Sequence, residues 1–423
     1  MVGQRIRYYR KTKGLTQEEL AQGICSVSYL SKIEKGDAKS SEEVINLLCE
    51  RLGISPEEAD NNEILEMLNE WNMMMVNRRF EEATEYYPAL HEKMKKVSNP
   101  EILIRFDLFL TRYYLVTDQL NEAQEKLNSL NQIQEQFSSE LEFYFFQVTA
   151  MYNFFLNKYN EALDSIKKCE ALFRKVNIKE SEEAVLYYQI ALYYGQLYRI
   201  TLVNYYAYKA ISIFDKEYNY SRSADCHILL AINNRRVRNY EQAEYHLNHA
   251  LKYSKAFNDK STTAIIFHNL GYVSSCKKES KKAIDYILKS YKLKQELNDI
   301  NIQVISTIYL AAKEYFNIQD YSKSLDWINK GYDIIKNDAI VNNEYFYHMK
   351  ILELQIHYAN NNSSKDLEEF LSKEAIPFFD KLNTTEYLAA NAELLADLYF
   401  DQGQYKKASH YYRISNNARK HIL

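Results

Sequence analysis

The chain has 423 residues, a formal net charge of −4 and 26% charged residues, so it can bury a large core and hold more than one structural unit. Only 9 Gly and 4 Pro are present, too few for the turns of a β-sandwich or the phosphate loops of a doubly wound α/β enzyme. Tyrosine is abundant, at 38 residues, and mostly follows the period of a helix, which indicates packing between helices. The composition therefore predicts an all-α protein.

The cysteines and the N-terminus indicate a reducing compartment. The cysteines are odd in number and scattered, which predicts neither a disulfide framework nor a zinc site: Cys25, Cys49, Cys169, Cys226 and Cys276. The N-terminal stretch MVGQRIRYYRKTKG is basic, but no apolar run follows it, so it does not resemble a signal peptide. No stretch approaches the about 18 apolar residues of a membrane span. We therefore predict a cytoplasmic protein with no membrane contact.

Glycines and helix caps divide the N-terminal segment into short helices. Residues 4–13 predict a basic amphipathic helix that Gly14 ends. Thr16, with Glu19 three residues later, forms a capping box for a second helix that runs to about Gly23.

A third and a fourth helix follow. Ser26 caps the third, VSYLSKIEK, and Gly36 ends it. A cap at Ser40 or Ser41 begins the fourth, EEVINLLCERL. Short helix, tight turn and short helix, with supporting helices, is the helix-turn-helix arrangement.

The third helix has side chains suited to the major groove of DNA. The small or polar groups predicted on its outer face are Ser26, Ser28, Ser31 and Lys32. Gln17 and Tyr29 would bond phosphates beside helix N-termini, where backbone amides also favour anions. Lysines that would add salt-sensitive attraction are Lys11, Lys13, Lys35 and Lys39. The alternative is a small dimerisation or docking domain, but two capping signals and the stop at Gly36 favour DNA binding.

From about residue 64 the chain repeats itself. Segments such as RRFEEATEYY (78–87), NKYNEALDSI (157–166) and RNYEQAEYHL (238–247) carry a small residue at the same place. The repeated positions are Ala83, Ala123, Ala162, Val203, Ala243, Ala283, Ser324, Leu367 and Ala408, spaced by 40, 39, 41, 40, 40, 41, 43 and 41 residues. A generic helical bundle does not explain such equal spacings.

A second set of small residues lies twelve positions before most of these. We call them the markers: Ala150, Ala191, Ala231, Gly271, Ala312 and Ala396. Small residues at fixed offsets let paired helices approach closely. The pattern resembles the tetratricopeptide repeat, at about 40 residues instead of about 34, so longer helices or loops are expected. It predicts a right-handed superhelical solenoid of about nine repeats with a concave inner face.

The sequence offers little support for catalysis. No spacing places a base beside a Ser or Cys nucleophile, and neither GxGxxG nor GK[ST] occurs. His246 and His249 could share a helix face as metal ligands, but the pattern places no carboxylate or cysteine near them. We predict no enzyme activity, no cofactor and no metal.

Ligand chemistry is expected on the concave face instead. In repeat helices of this type, residues two before, one after and five after the marker tend to line the groove. This selects as peptide-binding residues Arg112, Gln189, Gln196, Arg236, Asn269, Tyr272, Lys313 and Asn317. Amides can pair with an extended peptide backbone, and Arg or Lys can hold its terminal carboxylate. The alternative is that these long polar side chains only solvate the solenoid.

The N-terminal segment, over about residues 3 to 55, resembles the Xre and lambda-repressor-like helix-turn-helix class. The resemblance rests on LTQEELA, SVSYLSKIEKG and CERLGIS. It implies that Val27, Ser28 and Lys32 face base edges and that Gln17 and Tyr29 face the backbone, with Lys35 beside them. Val27 and Ser28 are smaller than the glutamines common at these positions, a departure that affects bidentate adenine readout.

The whole chain resembles the peptide-pheromone regulators of Gram-positive bacteria, the Rap, Rgg, NprR, PlcR and PrgX group, with length and N-terminal phrase most like NprR. The implied domains are a DNA-binding domain at 1–58, a linker at 59–63 and a peptide-sensing and oligomerisation domain at 64–423. The resemblance implies a quorum-sensing transcription factor that binds a short imported oligopeptide and a palindromic double-stranded operator. It also implies a homodimer, or a tetramer with peptide. Two alternatives stay open: repeats that bind a response regulator of the sporulation phosphorelay, and a peptide-independent repressor.

Overall fold

The computed structural model describes residues 2–36, 41–54, 61–97, 99–297, 302–337, 344–361, 363–382 and 384–420. Their regular secondary structure is helical throughout, so the predicted all-α class is confirmed. Within these ranges, no helix has the length and apolar character needed to cross a bilayer. The chain divides into two compact units, Met1–Arg222 and Ser223–Leu423.

Four short helices begin the first unit. They are α1 (Val2–Thr12), α2 (Gln17–Ala21), α3 (Val27–Lys35) and α4 (Glu42–Leu52). Thr16 and Glu19 form the predicted capping box, with the Thr16 amide donating to the Glu19 carboxylate at 2.7 Å. Their shared core includes Ile6, Leu20 and Leu30, all fully buried. Local caps and this small core together fix the helix-turn-helix arrangement.

The remaining predicted boundaries of these helices hold where they are described. The Ser26 hydroxyl accepts from the Tyr29 amide at 3.2 Å, and Gly36 ends α3 in the left-handed region at φ 82°. Ser41 caps α4, whereas Ser40 lies outside the described residues.

Helix pairs make up the rest of the first unit. They are α5 (Asn61–Val76) with α6 (Phe80–Met94), α7 (Pro100–Val116) with α8 (Leu120–Asn131), α9 (Ser139–Phe155) with α10 (Tyr159–Leu172), and α11 (Glu180–Gln196) with α12 (Ile200–Lys216). Residues 61–63 of the predicted linker lie in the first turn of α5, and residues 55–60 lie outside the described part. The compact first unit therefore includes both the four short helices and four helix pairs.

The second unit continues the pairs. α13 (Tyr220–Arg236) begins at the unit boundary and is followed by α14 (Tyr240–Ala256), α15 (Lys260–Cys276), α16 (Ser280–Glu296), α17 (Ile302–Asn317), α18 (Tyr321–Asn337), α19 (Glu344–Asn361), α20 (Lys365–Phe370), α21 (Ile376–Lys381), α22 (Thr385–Asp401) and α23 (Tyr405–Lys420). A π-helical turn, Leu371–Ala375, joins α20 to α21.

The repeated small positions lie where the helices of a pair meet. All nine, from Ala83 to Ala408, fall on the second helix of a pair and are at most 1% exposed. Close approach also explains Gly271 on α15, since a Cβ there would lie 2.7 Å from Ile287 Cγ1 on α16. The predicted fold of a helix-turn-helix followed by tetratricopeptide-like repeats is confirmed.

The 40-residue period comes from long helices, not from long loops. α13, α14 and α15 each have 17 residues and are joined by three-residue turns, 237–239 and 257–259. Most turns between the helices contain one non-glycine residue at positive φ. These residues are Arg78, Asp118, Asn157, Tyr198, Tyr218, Arg238, Asn258, Lys278 and Gln319, with φ between 52° and 62°.

Candidate functional site

The six residues predicted to contact DNA lie on α2 and α3. Val27 is 44% exposed, and Ser28, Lys32 and Lys35 are also exposed, whereas Gln17 and Tyr29 are half-buried. The first turn of α3 thus presents small side chains, and the lysines follow towards its C-terminus.

A buried ion pair holds α1 against α3. Arg10 Nε and Nη2 donate to the Glu34 carboxylate at 2.6 and 2.9 Å, and Nη1 donates to the Leu15 carbonyl at 2.9 Å. Gln17 Nε2 donates to the same carboxylate at 2.8 Å. The Gln17 side chain is therefore oriented by Glu34 at the N-terminus of α2, with its second amide hydrogen available.

The basic charge of α1 is smaller at the surface than its sequence indicates. Arg5 is fully buried and Arg10 is 8% exposed, so neither adds charge to the surface of the four short helices. Arg7, Lys11 and Lys13 remain exposed. Lys39, predicted to add attraction, lies outside the described residues.

The second unit contains two adjoining cavities of about 190 and 280 Å³, which we call together the Lys313 cavity. Both are lined by Tyr309 and Lys313 of α17, His348 of α19, and Ala390 and Asn391 of α22. Lys313 forms no ion pair with any described residue. The neighbouring Tyr309 raises the pKa of Lys313, so the ammonium stays charged within an aromatic wall.

His348 supplies a second polar group without a partner in this cavity. It is 6% exposed, stacks on Tyr309 at 5.0 Å and on Phe379 at 5.0 Å, and its Nε2 has no hydrogen-bond partner. Burial, and then the charge of Lys313, lower the pKa of His348 to about 3. The ring is therefore neutral at physiological pH, and one buried nitrogen can still pair with a ligand.

The first unit contains a more apolar cavity of about 170 Å³, which we call the Arg112 cavity. Arg112 of α7 is 4% exposed and donates to the side-chain oxygens of Asn72 and Gln147. Its Nε has no hydrogen-bond partner, and burial lowers the pKa of Arg112. Glu182 compensates part of its charge and accepts from the Asn72 amide at 2.8 Å. Arg112 is thus solvated by amides instead of by a direct carboxylate partner.

Five of the eight predicted peptide-binding residues line these cavities. Tyr272, Lys313 and Asn317 line the Lys313 cavity, and Arg112 and Gln189 line the Arg112 cavity.

Gln196, Arg236 and Asn269 line neither cavity. Asn269 is buried, and its amide donates to the Ile265 carbonyl of its own helix at 2.9 Å. Arg235, not Arg236, lies over the Tyr272 ring, 3.9 Å from its centroid.

The residue three before the marker, which the predicted offsets leave out, also lines the cavities. The predicted position two before the marker lines a cavity in α11, at Gln189, but not in α15, at Asn269. In α11, α15 and α17 the residues three before and one after the marker line a cavity: Tyr188 with Leu192, His268 with Tyr272, and Tyr309 with Lys313. Positions three before and one after are four residues apart and share a helix face. His268 and Tyr309 could have been found from this spacing, whereas α19 has no marker to indicate His348.

The histidine pair of α14 is part of a packed cluster. His246 is buried, with its Nδ1 2.9 Å from Nδ1 of His227, and the His249 ring stacks on His227. Throughout the described ranges, no group of three or more His, Cys, Asp or Glu side chains is arranged to hold a metal ion.

Comparison with known proteins identifies a matching family model and a related protein. Residues 6–58 match the helix-turn-helix family model HTH_3. The transcriptional activator NprA of Geobacillus stearothermophilus is 32% identical over 406 residues, which cover 96% of this chain and 100% of that protein.

Two solved structures share the fold. A Rap protein complexed with Competence and Sporulation Factor has a TM-score of 0.73 at 20% identity, covering 86% of this chain and 99% of that one. NprR in complex with its cognate peptide NprX has a TM-score of 0.65 at 24% identity, covering 84% and 99%. The resemblance seen in the sequence is confirmed: the chain belongs to the family of the transcriptional activator NprA, with the fold of the Rap and NprR regulators.

Proposed function

We propose that the protein is a cytoplasmic quorum-sensing regulator that binds a short imported peptide in its repeat region and operator DNA through α2 and α3. The observation that carries this proposal is the Lys313 cavity. A chain that exposes a recognition helix also holds an unpaired ammonium and an unpaired imidazole nitrogen inside an aromatic pocket.

The cavity wall matches the groups of a peptide. Lys313 can pair with a terminal or side-chain carboxylate, and Asn317 and Asn391 can bond backbone amides. His348 Nε2 can serve as donor or acceptor. Tyr272 and Tyr309 offer apolar faces for aliphatic side chains. The solved complex of NprR with its cognate peptide, which shares this fold, supports a peptide ligand.

The Arg112 cavity is the second candidate anion site. Arg112 retains an unpaired Nε, and Gln189 lies in the same wall. The other lining groups are mainly apolar, including Val185 and Leu192. This combination would accept an acidic group attached to an apolar residue.

At the DNA surface, Ser28 and Lys32 would contact base edges in the major groove, and exposed Val27 would contact a thymine methyl. The free amide hydrogen of Gln17 would bond a phosphate, as would Tyr29. A homo-oligomer would place two recognition helices about 34 Å apart, one turn of DNA, and so require a palindromic operator.

The peptide test uses calorimetry and light scattering with synthetic peptides encoded by small reading frames beside the gene. We expect saturable binding with a change in oligomer mass, and at least a tenfold loss of affinity in Lys313→Gln. Lys281→Gln, which changes an exposed lysine of the same unit, is the matched control. Fixed mass and no binding to any such peptide would favour a peptide-independent repressor.

The DNA test compares two lysines. Lys32→Ala should weaken binding to the upstream intergenic fragment more than to a random duplex, because Lys32 would read bases. Lys11→Ala should weaken both equally and lower the salt slope by about 0.9 for one lost phosphate contact. If both variants weaken binding to the two duplexes by the same factor, α3 does not contact base edges.

The second candidate function is binding of a phosphorelay response regulator. The fold shared with a Rap protein favours it. Co-elution of the chain with a purified response regulator, tested with and without peptide, would distinguish this function from DNA binding alone.

A further inference from the structure

Two tyrosines of α1 join the four short helices to the repeats within the first unit. The Tyr8 hydroxyl lies 2.5 Å from Asp107 Oδ2 and 3.1 Å from the Leu103 carbonyl, both on α7. The Tyr9 hydroxyl donates to the Met94 carbonyl at the end of α6, at 3.2 Å. These polar contacts cross about 90 residues of sequence.

The acceptor Asp107 is buried and is held in place by a second contact. It is 5% exposed, and its other oxygen accepts from Lys126 of α8 at 2.7 Å. Burial, and then the charge of Asp107, raise the pKa of Tyr8 well above its usual value, so the phenol stays protonated and donates. A hydrogen bond to a buried, charged acceptor is among the stronger ones in proteins.

The surrounding interface is not closely packed. A cavity of about 610 Å³ lies beside these contacts, lined by Arg7 and Lys11 of α1 and by Ile104, Leu130 and Ile133 of the repeat side. Because so much of this interface is open, the Tyr8 contacts contribute much of the attachment of α1 to α7, and the Tyr9 contact adds the end of α6.

α7 also carries the cation of the Arg112 cavity. Asp107 and Arg112 are five residues apart on one helix, which corresponds to about 7.5 Å along its axis. The helix is buried along most of its length, so it moves as a rigid element. A shift of α7 at the Arg112 cavity therefore displaces the acceptors of Tyr8.

We propose that Tyr8 and Asp107 form a latch that fixes the DNA-binding helices to the second helix pair, and that α7 couples this latch to the Arg112 cavity. Tyr8 is a positioning residue, since it acts through the placement of α1. The coupling rests on the proposed function, because it assumes that the Arg112 cavity receives an anionic group of the peptide. The latch itself does not depend on the proposed function.

The latch is tested by hydrogen exchange of the full chain, read by mass spectrometry. Tyr8→Phe should raise exchange in residues 2–12 at least tenfold, because the domain opens locally from α7. Tyr206→Phe removes a phenol–carboxylate bond of 3.0 Å to Glu170 elsewhere in the unit and should leave residues 2–12 unchanged. Unchanged exchange in Tyr8→Phe, or an equal rise across the whole first unit, would overturn the latch.

Asp107→Ala provides the second variant. It should raise exchange in residues 2–12, and the double variant should not exceed Tyr8→Phe, because Tyr8→Phe already removes the contact with Asp107 together with the one to the Leu103 carbonyl. Lys126 is partly exposed and can turn to solvent. Additive effects would show that the two residues do not act together.

The coupling is tested without peptide or DNA. Arg112→Lys keeps the charge but loses the fork that contacts Asn72 and Gln147, and it should raise exchange in residues 2–12 at least threefold. In the Tyr8→Phe background the same change should add nothing. If Arg112→Lys does not fold, Gln147→Met removes the same contact from α9. No effect on residues 2–12 from a folded variant would overturn the coupling, and failure to bind peptides would leave all these results standing.

Discussion

The Arg112 cavity and the Lys313 cavity each contain a buried cation, but the partners of the two cations differ. In the first unit, Arg112 is held by amide oxygens before any ligand arrives. In the second, Lys313 has aromatic neighbours and no ion pair within the described chain. A guanidinium offers five donors in a fixed fork, so several can be paired while one remains free. An ammonium that lies among aromatic rings and forms no ion pair can still pair with an anionic ligand. We infer that the Arg112 cavity contributes mainly to stability and the Lys313 cavity mainly to affinity.

Arg112→Met should have the largest effect on stability. It removes the Arg112 N–H groups that donate to Asn72 and Gln147. The two acceptor oxygens then stay buried without these partners, which costs about 2–4 kcal/mol. Urea unfolding would measure this loss. The exposed Arg79, paired with Glu82 at 3.1 Å, is the control, and Arg79→Met should not change the midpoint measurably. Equal midpoints for the two variants would contradict the distinction between the cavities.

Acid should affect the second unit more than the first. The pKa of folded His348 is about 3 and the unfolded value is near 6.5, so between these values the unfolded state binds a proton that the folded state does not. Stability therefore falls as pH drops below 6.5, by about 2 kcal/mol at pH 5 for this residue alone. His268, with its pKa also lowered by burial to about 3, adds to the effect.

Unfolding curves at pH 7 and pH 5 would test this expectation. His348→Gln should reduce the difference between the two pH values by about 2 kcal/mol. His91 of the first unit, whose pKa burial lowers less, provides the matched control in His91→Gln. A pH dependence that both variants leave intact would assign the acid sensitivity to other groups.

Lys313→Met should change stability by no more than about 1 kcal/mol, because Lys313 forms no ion pair with a described residue and the raised pKa of its ammonium indicates only a modest net stabilisation of the charge. Thermal unfolding without peptide would measure this. A clear loss of stability would mean that Lys313 is paired in the free protein and is not reserved for a ligand.

The smallest effect is expected at the asparagines. Asn317 lines the Lys313 cavity, so Asn317→Ala should weaken peptide binding several-fold, about 1 kcal/mol for one hydrogen bond. Asn269 bonds its own helix outside the cavity, and Asn269→Ala should leave affinity within twofold. Calorimetry with a peptide that binds the unmodified protein would measure both. A larger loss of affinity in Asn269→Ala than in Asn317→Ala would contradict binding of the peptide in the Lys313 cavity.

Features that depend on near neighbours were predictable from the sequence. The caps at Thr16 and Ser26 and the stop at Gly36 depend on residues within one turn of helix. The repeat period was equally accessible, because small residues must recur wherever helices meet closely.

Features that depend on distant partners were not predictable. Arg10 is buried because Glu34 pairs with it, and nothing in the spacing of α1 indicates this. Which residues line the cavities was only partly accessible, because a step of one residue rotates the side chain by about 100° around the helix. On α15 the offset of two selects Asn269, whereas His268, three before the marker, lines the Lys313 cavity.

The residues in the left-handed conformation at the interhelical turns are positions where substitution by glycine could increase stability. Asparagine and aspartate tolerate this conformation, but Arg78, Tyr198, Tyr218, Arg238, Lys278 and Gln319 adopt it at a cost of about 1 kcal/mol each. The turn before α23 already uses Gly403, at φ 74°. Glycine replacements at turns that share no contacts should add nearly independently. Destabilising substitutions in the walls of the two cavities can therefore be compensated by altering turns outside those walls.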